Sequence, residues 1–117
     1  MKFTIPGELP DLNQIIKASK SHYMAYSTLK KKNTELVMWA SKGLKKIERA
    51  NFTITWYCKN RRKDKDNIAA GVKFIFDGLV ENGILPNDGW KQIGDVKHVF
   101  KVDKENPRIE VELEEIK

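Results

Sequence analysis

Phe52-Thr53-Ile54-Thr55-Trp56-Tyr57-Cys58 is dense in β-branched and aromatic residues and reads as a strand. It runs into a basic loop, Lys59-Asn60-Arg61-Arg62-Lys63, and then into Asp64-Lys65-Asp66-Asn67. A helix is expected from about Asn67 to Glu81, with Asn82-Gly83 as its C-terminal stop. At about 100° per residue, Ile68, Val72, Ile75 and Leu79 share one narrow stripe that must face a core. Asp66, Lys73 and Asp77 share the opposite stripe.

On the C-terminal side, Val96 to Val102 and Ile109 to Ile116 alternate apolar and polar residues, which predicts two strands joined by Lys104-Glu105-Asn106-Pro107. On the N-terminal side, Lys2 to Ile5 reads as a short strand closed by Pro6-Gly7. Leu9-Pro10-Asp11-Leu12-Asn13 is a loop in which Asp11 or Asn13 can cap a short helical turn over Gln14 to Ala18. From Ser27 onward, Leu29, Leu36, Val37, Trp39, Ala40, Leu44 and Ile47 recur mostly at three- or four-residue steps, so a longer helix is expected there. Ser27 or Thr28 can supply its N-cap, and Gly43 weakens its interior. The order is β, α, β, α, β, β. The simplest architecture that buries every apolar face is α+β, a small mixed sheet of about four strands with two main helices packed on it, in one domain over residues 1–117.

A hydrophobic content of 40% with 32% charged residues places the chain among folded rather than disordered sequences. Its longest apolar run falls far short of the roughly 18–20 residues of a membrane span. No basic-then-apolar leader opens the sequence, and Cys58 is the one cysteine, so neither secretion, a disulfide framework nor a cysteine-based zinc site is expected. His22 and His98 are too separated for a histidine-dominated metal site. A reducing, cytoplasmic compartment fits these features. The net charge of +6 is unevenly spread. Nine basic residues between Lys17 and Arg49 face only Glu35 and Glu48, and Lys59 to Lys65 adds five more around Asp64. Asp103 to Lys117 is acidic instead. Segregated positive charge favours a polyanionic partner, because neutralised phosphates release counterions. A solvated lysine-rich face is the alternative reading.

Chemistry centres on the carboxylates of the strand-to-helix turn. Alternate residues of an extended segment point to one side, so Asp64 and Asp66 can converge as the two hard oxygen ligands that Mg²⁺ or Mn²⁺ requires. Asp66 can equally serve as a helix cap. Lys73 follows Asp66 by seven residues, roughly 10 Å along a helix axis. From there it can meet a phosphate at a metal site, or simply pair with Asp77 four residues on. Asp88, in Leu85-Pro86-Asn87-Asp88-Gly89-Trp90, joins the other aspartates only if the chain returns along the neighbouring layer; otherwise it is a turn residue.

Arg62-Lys63-Asp64-Lys65-Asp66-Asn67, the helix after it, and Asp77-Gly78-Leu79-Val80-Glu81-Asn82-Gly83-Ile84-Leu85-Pro86-Asn87-Asp88 resemble the RusA-type Holliday junction resolvases. Ile5 to Asn13 is similar to that family's N-terminal strand and Pro-x-x-Asn loop. The resemblance implies a phage- or prophage-type endonuclease with Asp64, Asp66 and Asp88 as catalytic, metal-holding carboxylates. It also implies an essential helix lysine. That lysine follows the second aspartate by one turn in the family, where this chain has Ala70, so a three-residue insertion passes the role to Lys73. On this reading the cofactor is Mg²⁺, with Mn²⁺ as substitute. The partners are branched DNA and a second copy of the chain. Arg61, Arg62, Lys63, Lys65, Asn67 and Asn13 are the expected DNA contacts. The competing readings are a nuclease for flaps or forks, a non-catalytic basic DNA-binding protein, and an RNA- or protein-binding domain.

Overall fold

Alternation along β2 (Ala50–Cys58) places Ala50, Phe52, Ile54 and Trp56 on one face, all buried. The same period in β1 (Lys2–Pro6) and β4 (Arg108–Glu115) buries Phe3, Ile5, Ile109, Val111 and Leu113. In this computed structural model, which describes Met1–Lys117, these strands and β3 (Ile93–Val102) form one sheet in the order β1-β4-β2-β3. Strands β2 and β3 run parallel, with Phe52 opposite Val96 and Trp56 opposite Phe100. The β1–β4 and β4–β2 pairs are antiparallel. The fold is therefore α+β with a mixed sheet, as the sequence pattern implies.

Four helical segments accompany the sheet: α1 (Leu12–Lys20), α2 (Tyr23–Ala40), α3 (Lys65–Ala69) and α4 (Val72–Glu81). Val37 of α2 and Phe74, Ile75 and Leu79 of α4 join the buried strand residues in one hydrophobic core. Gly78 lets α4 and α2 approach closely, since a Cβ there would lie 2.5 Å from Val37 Cγ1.

Several expected boundaries move, each for a local reason. The short turn over Gln14–Ala18 is a longer helix, because Asp11 and Gln14 close a reciprocal capping box at its start. The second helix begins four residues before Ser27, capped by His22 Nδ1, which accepts from the Met24 amide at 3.2 Å. It ends at Ala40, so Leu44 and Ile47 belong to the following loop, and Gly43 sits there at φ +90°. The helix expected as one piece from Asn67 to Glu81 is broken at Ala70-Gly71 into α3 and α4. Gly71 is wedged there against Leu9, Pro10 and Trp56. The final two strands are not neighbours: β2 lies between them. Their connection crosses the end of β2, with the Asp103 amide donating to Cys58 O at 2.8 Å. Arg108 fastens the crossing by bonding Asp103 and Glu110 and by lying 3.8 Å over the Tyr57 ring.

Candidate active site

Strand β2 delivers its C-terminal end into the basic loop, and α3 starts at once. Asp64 occupies the N-cap position with extended backbone, yet its side chain caps nothing. Asp66 lies in the first turn of α3, where a negative charge is favourable to the helix dipole. Both are exposed and neither makes a salt bridge in the chain, although Lys63 and Lys65 alternate with them. Two free carboxylates in one turn match the one or two that Mg²⁺ takes when phosphate oxygens and waters complete its shell.

A pocket of about 390 Å³ opens beside Asp64, lined by Arg61, Lys65, Ile68 and, across from them, Phe100 and Lys101 of β3. The Lys65 ammonium sits 5.6 Å from the Phe100 ring centroid, a cation–π contact that leaves its charge at the pocket mouth. Phe100 and Lys101 were not expected here. Their presence follows from parallel pairing of β3 with β2, a long-range contact that no local pattern announces.

The other expected DNA contacts divide. Arg61 and Arg62 form no ion pair in the chain and remain available to phosphates. Lys63 is engaged instead: its Nζ lies 2.8 Å from Asp11 Oδ2, and the Asp11 residue is only 5% exposed. Burial alone would raise the Asp11 carboxyl. Hydrogen bonds from Lys63 and the Gln14 amide, with the lysine's charge, outweigh it and hold the group below its ordinary value. The same hydrogen bond pushes the Lys63 ammonium up. Lys63 therefore anchors the basic loop to the start of α1. Asn67 has a comparable role, its Oδ1 accepting from the Asn13 amide at 3.1 Å. That single bond involves both asparagines expected to touch DNA.

Lys73 is on α4, with Nζ 3.6 Å from Asp77 Oδ2, and Lys30 of α2 stands 4.0 Å from the same oxygen. The i, i+4 pair considered from the spacing is thus formed, and Lys30 is a partner that the sequence did not indicate.

Asp88 is apart from the Asp64–Asp66 turn. Because β3 runs parallel to β2, the turn before β3 lies at the end of the sheet where β2 begins, whereas Asp64 follows the end where β2 finishes. Nine residues at about 3.3 Å each make β2 itself a wide separation. Asp88 instead lines a small cavity with Lys30, Thr34, Asp77 and Glu81. No three His, Cys, Asp or Glu side chains of the chain are placed to share a metal ion. The three aspartates expected to cluster do not do so within one chain; Asp64 and Asp66 stay two residues apart at the start of α3, Asp64 at its N-cap and Asp66 within its first turn.

His98 is structural. Its Nδ1 accepts from Trp56 Nε1 at 3.0 Å, and burial pushes its pKa down, so the ring is held neutral. Trp56, His98 and Phe100 stack in sequence, linking the core to the pocket wall. Cys58 lines the same pocket, and burial raises its thiol above its ordinary value.

No helix is long and apolar enough to cross a membrane. No curated protein matches the sequence. The family model of endodeoxyribonuclease RusA matches residues 10–114, taking in the Asp11 cap, the Asp64–Asp66 turn, α4 and three of the four strands. A match of that extent shows that the chain belongs to the RusA endodeoxyribonuclease family.

Proposed function

We propose that the protein is a Mg²⁺-dependent endonuclease that nicks branched DNA, with the four-way Holliday junction as its substrate. The observation that carries this reading is an exposed carboxylate without an ion-pair partner, Asp64, in a pocket lined by Arg61, Lys65 and Lys101, with a second such carboxylate, Asp66, two residues on. Mg²⁺, or Mn²⁺ in its place, supplies Lewis acidity and a water of lowered pKa when bound by such carboxylates. Arg61, Arg62 and Lys65 hold the backbone phosphates without reading bases. Lys73 stabilises negative charge on the phosphate, which requires its pair with Asp77 to open. A cytoplasmic location belongs to the same reading, as the unpaired Cys58 needs no oxidising compartment.

A symmetric junction needs two nicks related by a two-fold axis, so the active form we propose is a C2 homodimer. The dimer also answers the separation of the aspartates: Asp88 of one copy completes the Asp64–Asp66 pair of the other. Incubation of the purified protein with a synthetic four-way junction and Mg²⁺ tests the function. Paired nicks on opposing strands are expected, with none in EDTA. Cleavage confined to flaps or forks would move the substrate, and binding without metal-dependent cleavage would remove the enzyme reading.

A further inference from the structure

Trp90 is the most exposed large hydrophobic residue of the molecule, at 99%. Tryptophan is on average highly buried, so a fully solvated indole is unusual. It is not on a loose segment. The Gly89 amide donates to Gln92 Oε1 at 3.1 Å, and the Ile93 amide to Gly89 O at 3.0 Å. On the far side, Arg49 Nε donates to Lys91 O at 2.8 Å and the Ala50 amide to Gln92 O at 3.0 Å. The backbone is pinned on both sides of a ring that touches little of its own chain.

Two cations adjoin that ring's segment: Lys91 is its neighbour, and Arg49 is bonded to the Lys91 carbonyl. The other exposed large hydrophobics lie on α1, α2 and β3, and none belongs to the turn that carries Trp90. A solvated aromatic face with Lys and Arg beside it is the arrangement by which proteins hold single-stranded nucleic acid, stacking a base while cations take the backbone. In a duplex each base is already stacked on both sides, so only an unpaired base can use such a face.

We propose that Trp90 is a stacking platform for an unpaired DNA base, with Lys91 and Arg49 on the flanking phosphates. This deepens the DNA-nuclease reading and rests on it. It makes unstacked bases at a branch point, rather than duplex, the feature this surface selects. Trp90 is two residues from Asp88, so the base would be held beside the carboxylate that the dimer contributes to catalysis.

The test is binding of the full chain without divalent metal, so that cleavage plays no part. The probes are a plain duplex and the same duplex with a three-nucleotide bulge carrying 2-aminopurine. Trp90→Ala should lose about 5- to 150-fold in affinity for the bulged DNA, the range of one base–aromatic stack. Its affinity for the duplex should stay the same, and the quenching of 2-aminopurine should vanish. Trp90→Phe should restore most of both signals. Equal affinities for wild type and Trp90→Ala, or an equal loss on both probes, would overturn the stacking role while leaving the nuclease reading intact. So would a loss that follows a change in sedimentation, which would make Trp90 a contact between copies. Failure of the wild type to bind either probe would overturn the nuclease reading as well.

Discussion

Asp66 stands in the first turn of α3 with no partner in the chain, and on the proposed reading its charge is there to hold metal. Asp66→Asn should therefore abolish Mg²⁺-dependent nicking while leaving junction binding unchanged or tighter, since a negative charge is removed from the DNA face. Gel-shift and nicking assays on one preparation check both halves. Normal nicking would show that the carboxylate merely favours the helix dipole. His98 carries a second residue-level expectation. Protonating Nδ1 would set two donors, the imidazolium and Trp56 Nε1–H, against each other across 3.0 Å. With a folded pKa depressed below the ordinary 6.5, the neutral form contributes stability that is present above 6.5 and is lost as pH falls through the folded value. Urea midpoints should drop as pH is lowered below 6.5, and the His98 ring should titrate below 6.5 by NMR. A midpoint at or above 6.5 would contradict the Trp56 bond.

Between elements, the closest packing is α4 on α2. A Cβ on Gly78 would sit 2.5 Å from Val37 Cγ1 and 2.6 Å from Val37 Cβ. Val37 is fully buried and branched at Cβ, so it cannot swing aside. Alanine would raise helix propensity by up to about 1 kcal/mol. Overpacking of this kind costs about 1–3 kcal/mol. Gly78→Ala should therefore lower the free energy of unfolding, by denaturant titration, despite its better propensity. An unchanged or raised value would mean that the two helices can part without cost. The break between α3 and α4 belongs to the same scale. Gly71 packs its backbone against Leu9, Pro10 and Trp56, and a continuous helix through that point would lose this contact with the N-terminal loop.

At the scale of the molecule, the parallel β2–β3 pair puts Asp88 at one end of the sheet and the Asp64–Asp66 turn at the other. A two-fold dimer that unites them has a direct signature. Asp66→Asn and Asp88→Asn should each be inactive alone. Mixed and allowed to exchange subunits, they should regain nicking, because one of the two shared sites in each heterodimer then carries only native aspartates. If each site lay within one chain, every site in the mixture would be defective and no activity would return. The Ile109–Ile116 strand offers no open sheet edge for such assembly, whereas the N-terminal strand does. Strand β4 is paired on both sides, and the true edges are β1 and β3. The apolar side chains left in solvent by α1 and the start of α2 are Leu12, Ile16, Tyr23 and Met24.

What the sequence determined by itself is what local chemistry dictates. Period-two alternation marked β3 and β4, β-branched and aromatic density marked β2, a short run closed by Pro6-Gly7 marked β1, capping chemistry at Asp11 or Asn13 marked the start of α1, and Asn82-Gly83 marked the end of α4. The paired aspartates within a basic run marked the first half of the proposed site, since residues two apart in sequence need no fold to be neighbours. Helix limits were less legible. The apolar steps continue past Ala40 into Leu44 and Ile47, and nothing local distinguishes a helical position from a loop residue that reaches the core, as Ile47 does. Tertiary structure alone decided which strands adjoin, because pairing is a contact between residues distant in the chain. That single fact brought Phe100 and Lys101 to the pocket, set β4 inside the sheet, and carried Asp88 away from the aspartates it was expected to join. It also decided that Lys63 would hold Asp11, an ion pair across 52 positions of sequence, while Arg61 beside it stays free for phosphate.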